Sequence, residues 1–246
     1  MTPWLRNPRP DARFRLLCFP YAGGGSADFR TWAPLVPTDV EVLPLILPGR
    51  ENRLGEPPRR EMSMLVRDAA AEILPLLRSS PYALFGHSMG SWVAFEFARE
   101  VRRLGGPPPR RLFASGRRAP HLPDRLPLLH ALPEPEFLTA VQDRYQAIPP
   151  QLLAEPEILK LFLPALRADF TLLDTYACAE GAPLDVPFSV WAGADDGLLL
   201  RHELQAWELH TSRGAHLRLF PGGHFYLRSA REALVPAILE ALELRV

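Results

Sequence analysis

Residues 85–98 read FGHSMGSWVAFEFA, placing Ser88 in a G-x-S-x-G frame. The apolar run PYALF precedes it and a helix-patterned segment follows, which is the strand–turn–helix setting of a nucleophile elbow. The glycines allow strand and helix to approach closely, and the tight turn pushes the serine hydroxyl out at the top of a sheet. In the same turn the backbone N–H of Met89 becomes one donor to a developing oxyanion. A plain strand-to-helix turn would need the glycines but gives the serine no task. A serine of ordinary pKa needs a base to attack a carbonyl, and the base needs a carboxylate to orient it.

In such sites the chain order is serine, then acid, then histidine. Downstream of Ser88 stand His121, His130, His202, His210, His216 and His224. Only His224, in FPGGHFYL, follows an apolar strand directly on a glycine-rich loop, where an imidazole would sit at the strand's end. The carboxylate should close the preceding strand, PFSVWAG, and Asp195 and Asp196 both stand there. Successive residues point in different directions, so one can meet the imidazole while the other serves as a turn residue or helix cap. The spacing alone leaves the two open.

A second oxyanion donor should come from the loop after an early strand. FPYAGGGS (19–26) fits: three glycines let backbone approach a ligand, and the N–H of Ala22, with or without that of Tyr21, would pair with that of Met89. The loop lacks the lysine of a P-loop and does not match G-x-G-x-x-G, which argues against a nucleotide site.

These loops require a sheet to carry them. Six short apolar runs qualify as strands: 14–19, 40–47, 82–87, 111–116, 187–193 and 216–221. Most are apolar throughout, as in strands covered on both faces. Helical patterns over 61–77, 91–106 and 229–246 alternate with them, so an α/β fold with a mostly parallel sheet is predicted. Ser229 and Glu232 read as a capping box for the last helix, which Pro236 should kink. From 117 to 181 no strand is evident, and helices are predicted over 133–148, 155–162 and 164–179. An all-helical insert between two sheet strands is read as a lid over the carboxyl ends of the strands, giving a core of 1–116 and 182–246.

Bulk composition narrows the classes. The chain has 246 residues, 47% of them hydrophobic, enough for one large domain. Its 28 basic and 28 acidic residues balance, which argues against nucleic acid or an anionic membrane as partner. No run approaches the length of a membrane span, and the first residues lack the apolar centre of a signal peptide. Cys18 and Cys178 make no disulfide framework, and inert buried thiols in a reducing, cytoplasmic setting are expected. Phe19, Trp92, Phe95 and Phe97 read as core, whereas Met89 could face the pocket.

The segments FPYAGGGSADFRTW, LPGRENRL, GHSMGSWVAFE, SGRRAP, VWAGADD and LFPGGHFYL occur in the order seen in type II thioesterases, the free-standing editing enzymes of nonribosomal peptide and polyketide synthesis. The chain resembles that family over nearly its whole length. The resemblance implies an α/β-hydrolase fold with a helical lid and hydrolysis of acyl thioesters on the phosphopantetheine arm of carrier proteins. It makes Ser88 the nucleophile, His224 the base and Ala22 an oxyanion donor. The family's glycine–two residues–aspartate pattern falls on Gly193 and Asp196, which favours Asp196. Gly197 stands where the family commonly has proline or another small residue, and Tyr21 where it often has histidine.

No cofactor or metal is implied beyond the arm the substrate brings, and a monomer is expected. Because carrier proteins are usually acidic, the loop arginines Arg50, Arg53, Arg117 and Arg118 become candidate contacts, set against the ordinary reading of solvated surface. A carboxylesterase or lipase would use the same triad, and a binding module that inherited the fold would not need it intact. Acyl specificity, pathway, and editing against product release are not written in these motifs.

Overall fold

A computed structural model describes residues 2–146, 148 and 155–244 of the chain. Six strands form one parallel sheet: β1 (Phe14–Phe19), β2 (Val40–Pro44), β3 (Tyr82–His87), β4 (Leu112–Ser115), β5 (Phe188–Gly193) and β6 (Ala215–Phe220), in the spatial order β2-β1-β3-β4-β5-β6. All six apolar runs became strands. The second is shorter than its apolar run of 40–47: β2 ends at Pro44, and Leu45–Leu47 continue past it while staying buried. β1, β3, β4 and β5 are buried at every position, as the unbroken apolar runs require. The edge strand β6 is mostly half-buried or exposed, and its side chains alternate accordingly.

Successive side chains leave opposite faces of a strand, and the core divides accordingly. Leu17, Phe19, Leu84 and Val190 pack under the helices α2 (Met62–Leu77) and α3 (Met89–Arg103). Leu16, Cys18, Phe85, Phe113 and Trp191 pack on the other face under α1 (Ala27–Arg30) and the C-terminal segment. Phe19, Trp92, Phe95 and Phe97 are core, and so is Met89, whose side chain is fully buried. Each such side chain contributes about 1.5–3 kcal/mol on burial. α3 ends in a Schellman turn: Gly106 N–H donates to the Val101 carbonyl (2.9 Å), and Gly105 takes the positive φ of +65° that closes it.

Between β4 and β5 no strand lies among the described residues. The insertion carries α4 (Glu134–Tyr145) and α5 (Pro156–Thr175). α5 corrects the expectation of two helices parted at Pro164: the helix runs through it, since a proline removes only the one N–H that would have reached the Lys160 carbonyl. Residues 147 and 149–154, which fall within or after the helix expected over 133–148, lie outside the described residues.

Downstream, α6 (Arg201–Gln205), α7 (Tyr226–Ser229) and α8 (Arg231–Ala241) complete the chain. The capping box at Ser229 and Glu232 is not formed. Ser229 is the last residue of α7, and the Glu232 carboxylate accepts from Arg231 instead. Pro236 lies within α8, which ends at Ala241, well short of 246.

Parallel register brings all carboxyl ends to one edge, with Phe19 opposite Gly86, His87 opposite Ser115, Ser115 opposite Trp191 and Gly193 opposite Phe220. The loops holding Ala22, Ser88, Asp196 and His224 therefore converge there, in the crevice where open α/β sheets bind ligands.

Candidate active site

Ser88 sits between β3 and α3 with φ 53° and ψ −117°, a backbone conformation that L-residues rarely adopt and that stores strain of about 1–3 kcal/mol. The turn closes only because its neighbours lack side chains. A Cβ on Gly86 would overlap the backbone of Gly90, and one on Gly90 would overlap the Phe19 carbonyl at the end of β1. Polar groups pin the elbow from beneath. Ser88 N–H donates to the Ser115 carbonyl (2.7 Å), and Ser91 Oγ lies 2.8 Å from the carbonyls of both Gly86 and Ser115 while accepting the Ser115 N–H (3.0 Å).

The expected partners meet this serine. His224 Nε2 lies 3.1 Å from Ser88 Oγ, and its Nδ1 lies 2.8 Å from Asp196 Oδ2. With the Nδ1–H donated to the carboxylate, Nε2 is left to accept the serine proton. The side chains are secluded, Asp196 at 1% and His224 at 10% exposure, so water screens the pair little. Asp196 Oδ1 also accepts the Leu198 N–H (3.1 Å), fixing the carboxylate in the turn after β5. Asp195 is exposed and joins the site only through its backbone, whose N–H donates to the Gly222 carbonyl (2.9 Å). The two aspartates are thus told apart. The helix after this turn, α6, begins at Arg201.

The glycine loop lies beside the elbow. The Tyr21 carbonyl accepts the Gly24 N–H (2.8 Å), and because N–H and C=O point opposite ways across a trans peptide, the Ala22 N–H faces away from that bond. Among the described residues that N–H donates to no protein acceptor, and the Met89 N–H is one of the orphan donors at the start of α3. Such a pair suits a developing oxyanion. Tyr21 secures the loop on its other side: its hydroxyl donates to Asp28 (2.6 Å) and accepts from Arg228 (2.6 Å), and its ring meets Phe225, next to His224. Burial, reinforced by Asp28, pushes its phenol up to about 12.

Three functional neighbours carry no motif signal of their own. His87 is fully buried with its ring 5.3 Å from that of His224. Its Nδ1 lies 2.9 Å from Ser115 Oγ, itself 2.7 Å from the Tyr226 hydroxyl. Burial, and then His224, holds its pKa well below that of a free histidine, so no second cation forms beside the base. Tyr145, at the end of α4, packs on His224. Asp169, in α5, reaches the glycine loop and accepts the Gly23 N–H (2.8 Å).

The four loop arginines named as candidate contacts are engaged within the chain. Arg50 pairs with Asp169, and Arg53 is buried against Glu56, the Ile46 carbonyl and the Trp4 ring. Arg117 and Arg118 stack on Trp92, at 3.9 and 4.7 Å, and Arg118 also pairs with Asp124. All four are buried or nearly so; a solvated-surface reading fails for them as well. Cys18 is a buried thiol as expected, whereas Cys178 is only half-buried. Of the remaining histidines, His210 is half-buried beside His121 (2.8 Å), and burial followed by His121 lowers its pKa to about 4. Among the described residues, no group of three or more His, Cys, Asp or Glu side chains is close enough together to hold a metal ion, and no helix is long and apolar enough to cross a membrane.

Comparison with known proteins agrees with the geometry. The thioesterase domain family matches residues 14–244. The linear gramicidin dehydrogenase LgrE of Brevibacillus parabrevis is 39% identical over 245 residues, covering 98% of this chain and 92% of its own. Among solved structures, the RedJ thioesterase of the prodiginine pathway in Streptomyces coelicolor superposes with a TM-score of 0.84 at 35% identity, over 95% of this chain and 87% of RedJ. The type II thioesterase BorB of the borrelidin biosynthetic cluster gives a TM-score of 0.83 at 33% identity, over 97% of each chain.

Proposed function

The chain belongs to the thioesterase family, and on that premise we propose that Ser88, His224 and Asp196 hydrolyse acyl groups carried as thioesters on the phosphopantetheine arm of a carrier protein. One observation carries the assignment of roles: a single imidazole bridges Ser88 Oγ at 3.1 Å and Asp196 Oδ2 at 2.8 Å. This is the equipment of acyl transfer. The word dehydrogenase in the name of LgrE describes a different reaction from the one these three side chains support.

The reaction runs in two halves. His224 Nε2 takes the Ser88 proton as Oγ attacks the thioester carbonyl, and the N–H groups of Ala22 and Met89 hold the oxyanion. The C–S bond then breaks, and the imidazolium returns the proton to the departing thiolate. Water enters, His224 takes its proton, and hydroxide attacks the acyl-Ser88 ester to release a carboxylic acid and the free serine. Asp196 holds the imidazole tautomer and stabilises the imidazolium. His87 stays neutral throughout. The chain supplies every reacting group except the arm the substrate brings, so the reading needs no resident cofactor.

Residues 117–181 act in this reading as a lid, because both of the helices described in them touch the site, α4 through Tyr145 and α5 through Asp169. The partner is a carrier domain of a peptide synthetase or polyketide synthase, served by a monomer in the cytoplasm. The relatives' names support the pathway, and the two free cysteines suit a reducing compartment.

The test is substrate rank. Rates are compared on an acyl-carrier protein, the matching acyl-CoA and a p-nitrophenyl ester. A carrier-protein thioesterase should favour the first in kcat/KM by at least about 100-fold over the ester. A carboxylesterase using the same triad would show the reverse order.

A further inference from the structure

Asp169 lies within α5, in the insertion, yet its side chain is only 4% exposed and ends on the glycine loop. Oδ2 accepts the Gly23 N–H (2.8 Å) and an Arg50 Nη1–H (2.9 Å), while Oδ1 accepts from Arg50 Nη2 (2.7 Å). The same guanidinium donates to the Gly24 carbonyl (2.8 Å) and is itself largely buried. Two buried charges are stable only as a pair, so carboxylate, guanidinium and loop backbone form one unit. The packing is equally close: a Cβ on Gly23 would lie 2.7 Å from Leu166 and 2.8 Å from Phe162, both on α5.

This unit fixes the peptide plane joining Ala22 to Gly23, because a planar peptide whose N–H is held has its carbonyl direction set as well. The plane on the other side of Ala22 is held by the Tyr21 carbonyl and the Gly24 N–H. With both planes fixed, the Ala22 N–H has one direction. We propose that Asp169, oriented by Arg50, is a positioning residue for the oxyanion donor at Ala22, so that the helical insertion builds part of the oxyanion hole as well as covering it. The proposal rests on the assignment of Ser88 and Ala22 made above. It differs from a simple anchor for α5 in one respect: loss of Asp169 must weaken the transition state more than the ground state.

The test uses full-length Asp169→Ala, Asp169→Asn and the double variant Arg50→Gln/Asp169→Asn. Two pantetheine-linked probes are compared. A trifluoromethyl ketone adds Ser88 and places an alkoxide in the hole; a thioether analogue binds without forming one. Asp169→Ala should lower kcat about 10- to 100-fold and weaken the ketone by the same factor, with thioether affinity held within about threefold. Asp169→Asn can still accept from Gly23 and should fall between. If Asp169→Ala does not fold, the two remaining variants carry the same comparison, and the double variant leaves no buried charge unpaired. Equal weakening of both probes, or neither weakened while the melting temperature falls, would overturn the proposal in favour of a plain anchor. Ser88→Ala separates the two levels: if it retains turnover, the underlying assignment fails; if it is inactive while the Asp169 variants keep full ketone affinity, only the role of Asp169 fails.

Discussion

The ring of Tyr145, the last residue of α4, stands 5.6 Å from the ring of His224, so the insertion touches the base itself. Tyr145 also meets Phe170 of α5 at 5.7 Å, which makes it the point where α4, α5 and the imidazole come together. Ser88 is 5% exposed beneath them. A substrate must therefore displace or slip past this contact to reach the hydroxyl.

Tyr145→Ala should loosen that cover. The rate at which a fluorophosphonate labels Ser88 is expected to rise several-fold, while lost packing lowers the melting temperature by about 3–6 °C. Labelling kinetics and a thermal melt check both. An unchanged labelling rate would mean that Tyr145 does not limit access.

Asp196→Asn should leave the fold intact and reduce kcat by about 10⁴-fold, because an amide no longer enforces the tautomer that presents Nε2 to Ser88. Asp195→Asn should stay within about twofold of wild type, since that side chain is exposed and only its backbone is engaged. Parallel kcat measurements on one thioester substrate decide the matter. Comparable losses in both variants would contradict the assignment.

His87 predicts a pH dependence of stability. Its folded pKa lies below the free value of about 6.5, so on acidification the unfolded chain takes up a proton that the folded chain refuses. Stability is thus fully present above pH 6.5 and falls below it, by up to about 1.4 kcal/mol per pH unit for one proton. His210, lowered to about 4, adds a loss of the same sign between pH 6.5 and 4. Urea unfolding at pH 7.5 and 5.0 should show wild type losing more stability than His87→Gln. Equal losses would mean that His87 is not held neutral.

The fold was legible wherever a local period governs. A strand buried on both faces must be largely apolar along its length, as β1, β3, β4 and β5 are, and all six expected runs joined the sheet. Ser88 and His224 were legible too, because each needs a glycine-rich turn at a strand's end and such turns are written in consecutive residues. Asp195 and Asp196 were inseparable by pattern, since the difference lies in which carboxylate meets an imidazole 28 residues further on. Arg50 was misjudged for the same reason at greater range: its partner, Asp169, is 119 residues away. Pro164 looked like a helix break, but burial of α5 against the glycine loop outweighs one missing hydrogen bond. His87, Tyr145 and Asp169 carry no motif; each matters for what tertiary packing sets beside it.

The most direct measurement is intact-protein mass spectrometry of an acyl-loaded carrier protein incubated with wild type and with Ser88→Ala. Wild type should return the carrier to its free-thiol mass, while Ser88→Ala should leave the acyl group in place at the rate of the buffer control. Deacylation by Ser88→Ala at a rate near that of wild type would contradict the account.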